Sequence, residues 1–293
     1  MGGMRYAKPD IDIVKNELTS LSGMSDVEVF IDNKTVNDYF FKVTYNGVRG
    51  ICKFSSKAFA SIRNEYLLTD LLNSKYPKYF PRPLLFHKFT SVDGSAVVLE
   101  YLPGRSLRAL VDDGDVSSYD QAVSVVNDLS KIVNALINER IIHRDFHAGN
   151  LIQGEDGRLR LIDLQFSVKK DINGRYREDP FLLKWFWTFV PVFGCFTGVG
   201  VGRWNDIHAV RMVLKDMPQY DVVKDFDGYL AKKEMSSTLY IKPSFWIFIL
   251  FPFNKFVCYV RLIYHTFYKP KKKRKFKERL ELIKSAKIGW KRN

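Results

Sequence analysis

The residue pattern predicts an α+β chain in two lobes, a small antiparallel sheet with one helix followed by a larger helical part. Three observations carry this. Short apolar-alternating runs, broken by turn residues, fill most of the first hundred positions. A Pro103-Gly104 break follows. After it the apolar spacing turns helical, notably over Asp120–Asn138.

The elements follow in order. Val27–Asp32 and Tyr39–Tyr45 read as strands around a polar turn, Asn33–Asp38, and Asn46-Gly47 turns the chain into Val48–Phe54. Together they make a three-strand antiparallel meander. A helix is predicted from about Ala58 to Asn73, with Ile62, Tyr66, Leu67 and Leu71 along one face, ended by Pro77, Pro81 and Pro83. Leu84–Thr90 and Ala96–Tyr101 read as two more strands, joined at Asp93-Gly94. After Ile141–Asn150 a strand pair is split by Gly154–Gly157. The predicted division is 1–102 for the small lobe, 103–268 for the large one and 269–293 for a basic tail.

With 46% hydrophobic and 27% charged residues, the 293-residue chain is too apolar for disorder and long enough for one large or two small domains. Cys52, Cys195 and Cys258 cannot all pair and form no CxxC. That excludes a disulfide scaffold and fits a reducing compartment. Met1–Asp10 has no apolar run of the signal-peptide kind.

Charge is the unusual quantity. The net +14 calls for an anionic partner, whether nucleic acid, a membrane surface or a phosphorylated ligand. It is unevenly placed. Lys269–Asn293 carries twelve Lys and Arg against two Glu, net +10, which leaves about +4 for the rest. Phe245–Tyr268, just before, is aromatic and aliphatic but interrupted by Lys255, Arg261 and His265, a poor membrane span. Phe256, Val260, Ile263, Tyr264 and Phe267 share a helical face, so an in-plane helix beside a polybasic segment is expected. A packed helix with a solvated tail is the plain alternative, and a nuclear or nucleic-acid address a third.

The most specific local signal is His143-Arg144-Asp145-Phe146-His147-Ala148-Gly149-Asn150, H-R-D-x-x-x-x-N. It resembles the catalytic loop of protein kinases. A carboxylate there sits beside the attacking hydroxyl and takes its proton, and an amide oxygen five residues on can turn back onto Mg²⁺. Thirteen residues later Asp163 ends a strand, where a carboxylate can reach a metal bridging phosphates.

From about Val27 to Leu214 the chain resembles the protein-kinase-like superfamily, which implies the two-lobed protein-kinase-like fold with ATP and Mg²⁺ between the lobes. On that resemblance Lys53 holds the α and β phosphates and Glu65 is its ion-pair partner. Glu100-Tyr-Leu-Pro-Gly104 is the hinge, with Glu100 and Leu102 at the adenine. Asp145 is the catalytic base, Asn150 and Asp163 hold the metal, and Asp206 braces the catalytic loop. His143 reads as a loop-shaping residue, and His147 as structural too, with a catalytic part as the alternative. Each residue alone is weak; their order along the chain carries the reading.

There are departures. Asp32–Asp38 has no glycine, so no Gly-rich loop covers the phosphates. The metal motif is Asp163-Leu-Gln, not Asp-Phe-Gly, and no Ala-Pro-Glu follows. In its place stands the apolar run Phe181–Gly202, read either as a buried helix or as a lipid-facing surface. Asp-Phe-His-x-x-Asn with apolar inserts and a basic tail resembles the bacterial Kdo and heptose kinases of the lipopolysaccharide inner core. That resemblance implies a lipid A-linked core oligosaccharide as acceptor, at the cytoplasmic face of the inner membrane. The segment 245–268 and the tail 269–293 would meet anionic lipid, and no nucleic acid is expected. Aminoglycoside- or choline-type kinases, a protein Ser/Thr kinase and a membrane-held pseudokinase are the competing readings.

Overall fold

The computed structural model describes residues 9–32, 38–56, 62–170, 176–177, 203–215, 217, 221–231 and 238–240. The chain is α+β and kinase-like, with a five-stranded antiparallel sheet early and helices later. It divides into two compact units, Met1–Arg105 with Leu151–Ser167, and Ser106–Asn150 with Val168–Asn293. Residues 33–37 of the expected polar turn, the apolar run 181–202, the aromatic segment 245–268 and the tail 269–293 lie outside the described residues.

In the first unit, strands β1 (Met24–Asp32), β2 (Asp38–Tyr45), β3 (Val48–Ser55), β4 (Pro83–Lys88) and β5 (Ser95–Glu100) lie in the order β1-β2-β3-β5-β4. All neighbouring pairs are antiparallel. The meander and the Asn46-Gly47 turn stand as expected, with both turn residues at positive φ.

Side chains alternate across a strand. On one face Phe41, Val43, Cys52, Phe54, Ala96 and Val98 make the core. Lys53, between Cys52 and Phe54, therefore faces the other way. Phe54 stacks with Tyr39 at 5.9 Å and meets Phe89 edge-on at 4.9 Å.

Helix α1 (Ile11–Ser20) closes this apolar face with Val14 and Leu18, both fully buried. Each such burial contributes about 1.5–3 kcal/mol relative to exposure. Asp10 caps α1 by accepting from Asp12 N at 2.9 Å.

Helix α2 (Ile62–Lys75) forms where predicted, but its buried face is corrected. It buries Ile62, Glu65, Leu68, Thr69 and Leu72, while Leu67 is 52% exposed. The helix is turned so that Glu65, a charged residue, points inward, because Lys53 is there to receive it.

Strand β6 (Gly104–Ser106) begins at the predicted break and joins β8 (Leu151–Gly154) and β9 (Leu159–Leu161) in a small sheet, order β6-β8-β9. Leu161 N donates to Tyr79 O at 2.9 Å, which ties that sheet to the end of α2. The close approach at Gly104 leaves no room for a side chain, since a Cβ would lie 2.0 Å from Gln153 O.

The second unit is built on α3 (Leu107–Asp112) and α4 (Tyr119–Asn138). Ser118 and Gln121 form a capping box at the start of α4. Val125, Val126, Leu129, Ile132, Val133 and Leu136 bury one stripe of it. Helices α5 (Asp206–Leu214) and α6 (Val222–Ala231) pack on α4. Strands β7 (Ile141–Ile142), β10 (Val168–Lys170) and β11 (Tyr176–Arg177) form a sheet of order β11-β10-β7, and β12 (Arg203–Asn205) pairs with β13 (Thr238–Tyr240). No helix among the described residues is long and apolar enough to cross a membrane.

Candidate active site

Two constellations stand out, one in each unit. In the first, Lys53 comes from the middle of the sheet, paired in register with Val97 of β5. Its ammonium lies 3.1 Å from Glu65 Oε2 and 2.7 Å from Asp163 Oδ1. Burial alone would lower its proton affinity, but the charges of Asp163 and Glu65 hold its pKa above the ordinary lysine value. Lys53 is therefore charged at every working pH.

Asp163 follows β9 in the left-handed conformation, φ 66°, at the start of a 3-10 turn over Leu164–Phe166. Such a backbone is strained for a residue with a side chain, at about 1–3 kcal/mol. Here it aims the carboxylate at Lys53. Asn64, next to Glu65, donates through Nδ2 to Ser167 O at 2.9 Å. That bond ties the helix bearing Glu65 to the segment bearing Asp163. A lone asparagine beside a glutamate gave no sequence signal of it.

Glu100 ends β5, three residues beyond the partner of Lys53. Its N–H donates to Arg82 O at 2.9 Å, and its carboxylate lies 3.9 Å from Arg82 Nε. Tyr101 N donates to Arg49 O, also at 2.9 Å, and the half-buried Leu102 follows. The backbone here is thus pinned from two neighbouring strands.

In the second unit the loop 143–150 is braced from α5. Asp206, itself buried, accepts from His143 N at 2.7 Å and Arg144 N at 3.4 Å. Burial pushes the Asp206 carboxyl up to about 6, although these two N–H groups and the Arg144 charge oppose the shift. Arg144 takes a positive φ of 65°, a turn the brace holds in place.

His143 is fully buried, meets Phe146 edge-on at 5.8 Å and accepts from Asp145 N at 3.3 Å. Its place in the loop is thus that of a packing residue. Asp145 stands half-exposed. Asn150 sits in a 3-10 turn and donates through Nδ2 to Asp145 O at 3.0 Å. With the amide nitrogen so committed, the amide oxygen is the end left to act as a ligand.

Chemistry of the donors decides whether Mg²⁺ fits. Each unit offers a hard donor of the kind Mg²⁺ accepts, the Asp163 carboxylate in the first and the Asn150 amide oxygen in the second. Among the described residues no group of three His, Cys, Asp or Glu forms a closed metal cage. An ion that arrives with a nucleotide needs no such cage. Each of these donors, taken by itself, suits the group by its chemistry.

No family model matches the chain. Local similarity to individual proteins exists. Over 102 residues, 34% of this chain, it is 29% identical to serine/threonine-protein kinase 10 of Homo sapiens, and the Mus musculus counterpart matches equally. Over 74 residues, 25% of this chain, it is 34% identical to RasGEF domain-containing serine/threonine-protein kinase X of Dictyostelium discoideum. The similarity covers 10% and 8% of those proteins, so it spans a tenth or less of the curated relatives' length. The chain thus shows distant, partial similarity to serine/threonine protein kinases, with a kinase-like α+β fold.

Proposed function

We propose that the chain is an ATP-dependent kinase that phosphorylates a sugar hydroxyl, on Kdo or heptose, of the lipid A-linked lipopolysaccharide core at the cytoplasmic face of the inner membrane. The observation that carries the phosphotransferase part is the Lys53 ammonium held by Glu65 and Asp163. A fixed, permanently charged donor of this kind suits a polyphosphate. The acceptor part rests on the resemblance of the catalytic loop and on the apolar and basic segments toward the C-terminus.

Lys53, oriented by Glu65, holds the α and β phosphates of ATP. Glu100 and Leu102, on the pinned backbone after β5, present main-chain groups to adenine. Asp163 and Asn150 would each offer an oxygen to Mg²⁺, which when bound would neutralise charge on the transferred phosphoryl group. Asp145 accepts the proton of the acceptor hydroxyl as its oxygen bonds to the γ-phosphorus and the bond to the β–γ bridging oxygen breaks, releasing ADP. His143 and Asp206 hold the loop in shape. Little covalent work is asked of the protein, so positioning dominates.

Protein phosphorylation is the second reading, favoured by the names of the partial relatives. Transfer from γ-labelled ATP to lipid A–core acceptors, peptides and aminoglycosides, tested side by side, separates the readings. Label on the core sugar is expected. Label on peptide or aminoglycoside alone overturns the lipopolysaccharide assignment, and no loss of transfer in Asp145→Ala overturns the catalytic assignment.

A further inference from the structure

The second histidine of the loop has a defined tautomer, and it faces the Asp145 carboxylate. Gly149 N donates to His147 Nδ1 at 3.0 Å. A donor must meet a lone pair, so Nδ1 carries no proton, and the neutral ring carries its proton on Nε2. His147 Nε2 lies 3.8 Å from Asp145 Oδ2. The Gly149 backbone runs close to the ring, since a Cβ there would lie 3.0 Å from both Cε1 and Nδ1. Asn150 N adds a 2.9 Å bond to His147 O.

We infer that His147 is a positioning residue for Asp145, resting on the phosphotransferase reading above. At 3.8 Å the contact is too long for a hydrogen bond. It is close enough for the Nε2–H dipole to favour one setting of the carboxylate, directly or through one water. The N–H faces Oδ2. The oxygen farther from the ring, Oδ1, is then the one that takes the acceptor's proton. Loss of this bias lowers the fraction of carboxylate aligned with the hydroxyl. Unlike His143, His147 is 40% exposed at its side chain.

Two substitutions separate the ends of the ring. His147→Asn places an amide oxygen near the position of Nδ1, which keeps the Gly149 bond and removes the donor toward Asp145. His147→Gln reaches the Nε2 position and restores a donor there. Expected is a fall in kcat of about tenfold or more in His147→Asn, a misplacement effect, with the ATP KM and Tm near wild type. His147→Gln recovers most of the loss. Unchanged kcat in His147→Asn overturns the inference, and so does an equal loss in both variants accompanied by lower Tm and weaker ATP binding. The tautomer has its own readout, which needs no activity. Imidazole ¹⁵N shifts should show His147 protonated at Nε2 in its neutral form, and a ring protonated at Nδ1 overturns the inference even in an active kinase. A wild-type chain that shows the Nε2–H ring but transfers no phosphate to any acceptor or to water sinks the phosphotransferase reading instead.

Discussion

Lys53 Nζ lies 2.7 Å from Asp163 Oδ1, across 110 residues of sequence, while keeping Glu65 Oε2 at 3.1 Å. One ammonium thus stands between two carboxylates, and the trio carries net negative charge. Lys53 and Glu65 are both almost wholly buried, with side chains 9% and 2% exposed, whereas Asp163 is 26% exposed. The pair at the base is a fixed support, and Asp163 is the member that can meet a solvent-borne partner.

Lys53→Met should therefore destabilise the chain even without nucleotide. Removing one partner of a buried ion pair costs about 3–5 kcal/mol, because the remaining carboxylate loses its countercharge. Glu65, without that countercharge, can relieve this by binding a proton, so the folded variant takes up protons that its unfolded chain does not. Its stability falls as pH rises. Urea unfolding should show a larger loss at pH 8 than at pH 5, and equal losses at both would mean that Glu65 does not depend on Lys53.

Glu17 gives a pH dependence of the opposite sign. From α1 it accepts hydrogen bonds from Thr90 N at 2.8 Å and Ser91 N at 2.9 Å, meets His87 Nε2 at 2.9 Å and is bonded by the Ser91 hydroxyl. Burial pushes its carboxyl up, but these bonds outweigh it and hold the pKa at about 2, from an ordinary 4.5. A lowered pKa contributes stability above the unfolded value, and that stability is lost as pH falls through the folded one. We expect Glu17→Gln to cost about 2 kcal/mol at pH 7. The gap between variant and wild type should close as pH falls from about 4.5 toward 2. A gap independent of pH would show that the shape of the side chain, and not its charge, holds α1 to the sheet.

Asp206 shifts the other way. Its folded carboxyl sits at about 6 against an ordinary 3.8, so the folded chain binds the proton more tightly. This contribution favours folding below about pH 4 and is lost as pH climbs through 6. Asp206→Asn should thus destabilise more at pH 4.5 than at pH 7.5, by about 1–3 kcal/mol in the difference. A penalty that grows with pH would show that the ionised brace, not its burial, dominates. Transfer activity should fall as well, since the N–H groups of His143 and Arg144 lose one of their two acceptors.

What the sequence revealed followed the range of each interaction. Local signals were legible. Alternation and the Asn46-Gly47 turn gave β2 and β3 to within a residue, and the periodic run gave α4 almost to its ends. The resemblance to protein kinases implied Lys53, Glu65 and Asp163, which the fold brings together, and His143, Asp145, Asn150 and Asp206, which share the second constellation. Helix α1 had a readable pattern too, an Asp10 cap with Ile11, Val14, Leu18 and Leu21 at helical spacing, but it is short and was absorbed into a strand-rich stretch. Its latch was not readable, because Glu17 and Ser91 are 74 residues apart. The face of α2 was misread since hydrophobicity alone favours Tyr66 and Leu67. Only the distant Lys53 explains why a glutamate turns inward.

Gly104→Ala tests the break after β5. The residue has φ 155°, and an added Cβ would strike backbone, Gln153 O, at 2.0 Å. Backbone cannot swing aside as a flexible side chain can, so β6 must part from β8. A loss of at least about 2 kcal/mol is expected. Gly114→Ala is the control, with φ 76° and open space around it, and should cost only about 1 kcal/mol from its left-handed backbone. Equal losses would mean that conformation alone, and not the contact with Gln153, fixes the glycine.

The tail offers a test of the proposed membrane site that does not depend on catalysis. Of the net +14, residues 269–293 carry +10, directly after the aromatic run 245–268. Each suitably placed Lys or Arg contributes about 1 kcal/mol at an anionic surface, and salt screens that attraction within about 10 Å. A purely apolar attachment would be nearly indifferent to salt. Deleting 269–293 should therefore weaken binding to vesicles containing phosphatidylglycerol by at least about tenfold at 0.1 M salt. It should also flatten the salt dependence, and leave binding to neutral phosphatidylcholine vesicles unchanged. If the full chain and the truncated chain bind anionic vesicles alike, the basic segment is a solvated tail, and any attachment must come from the apolar segments alone.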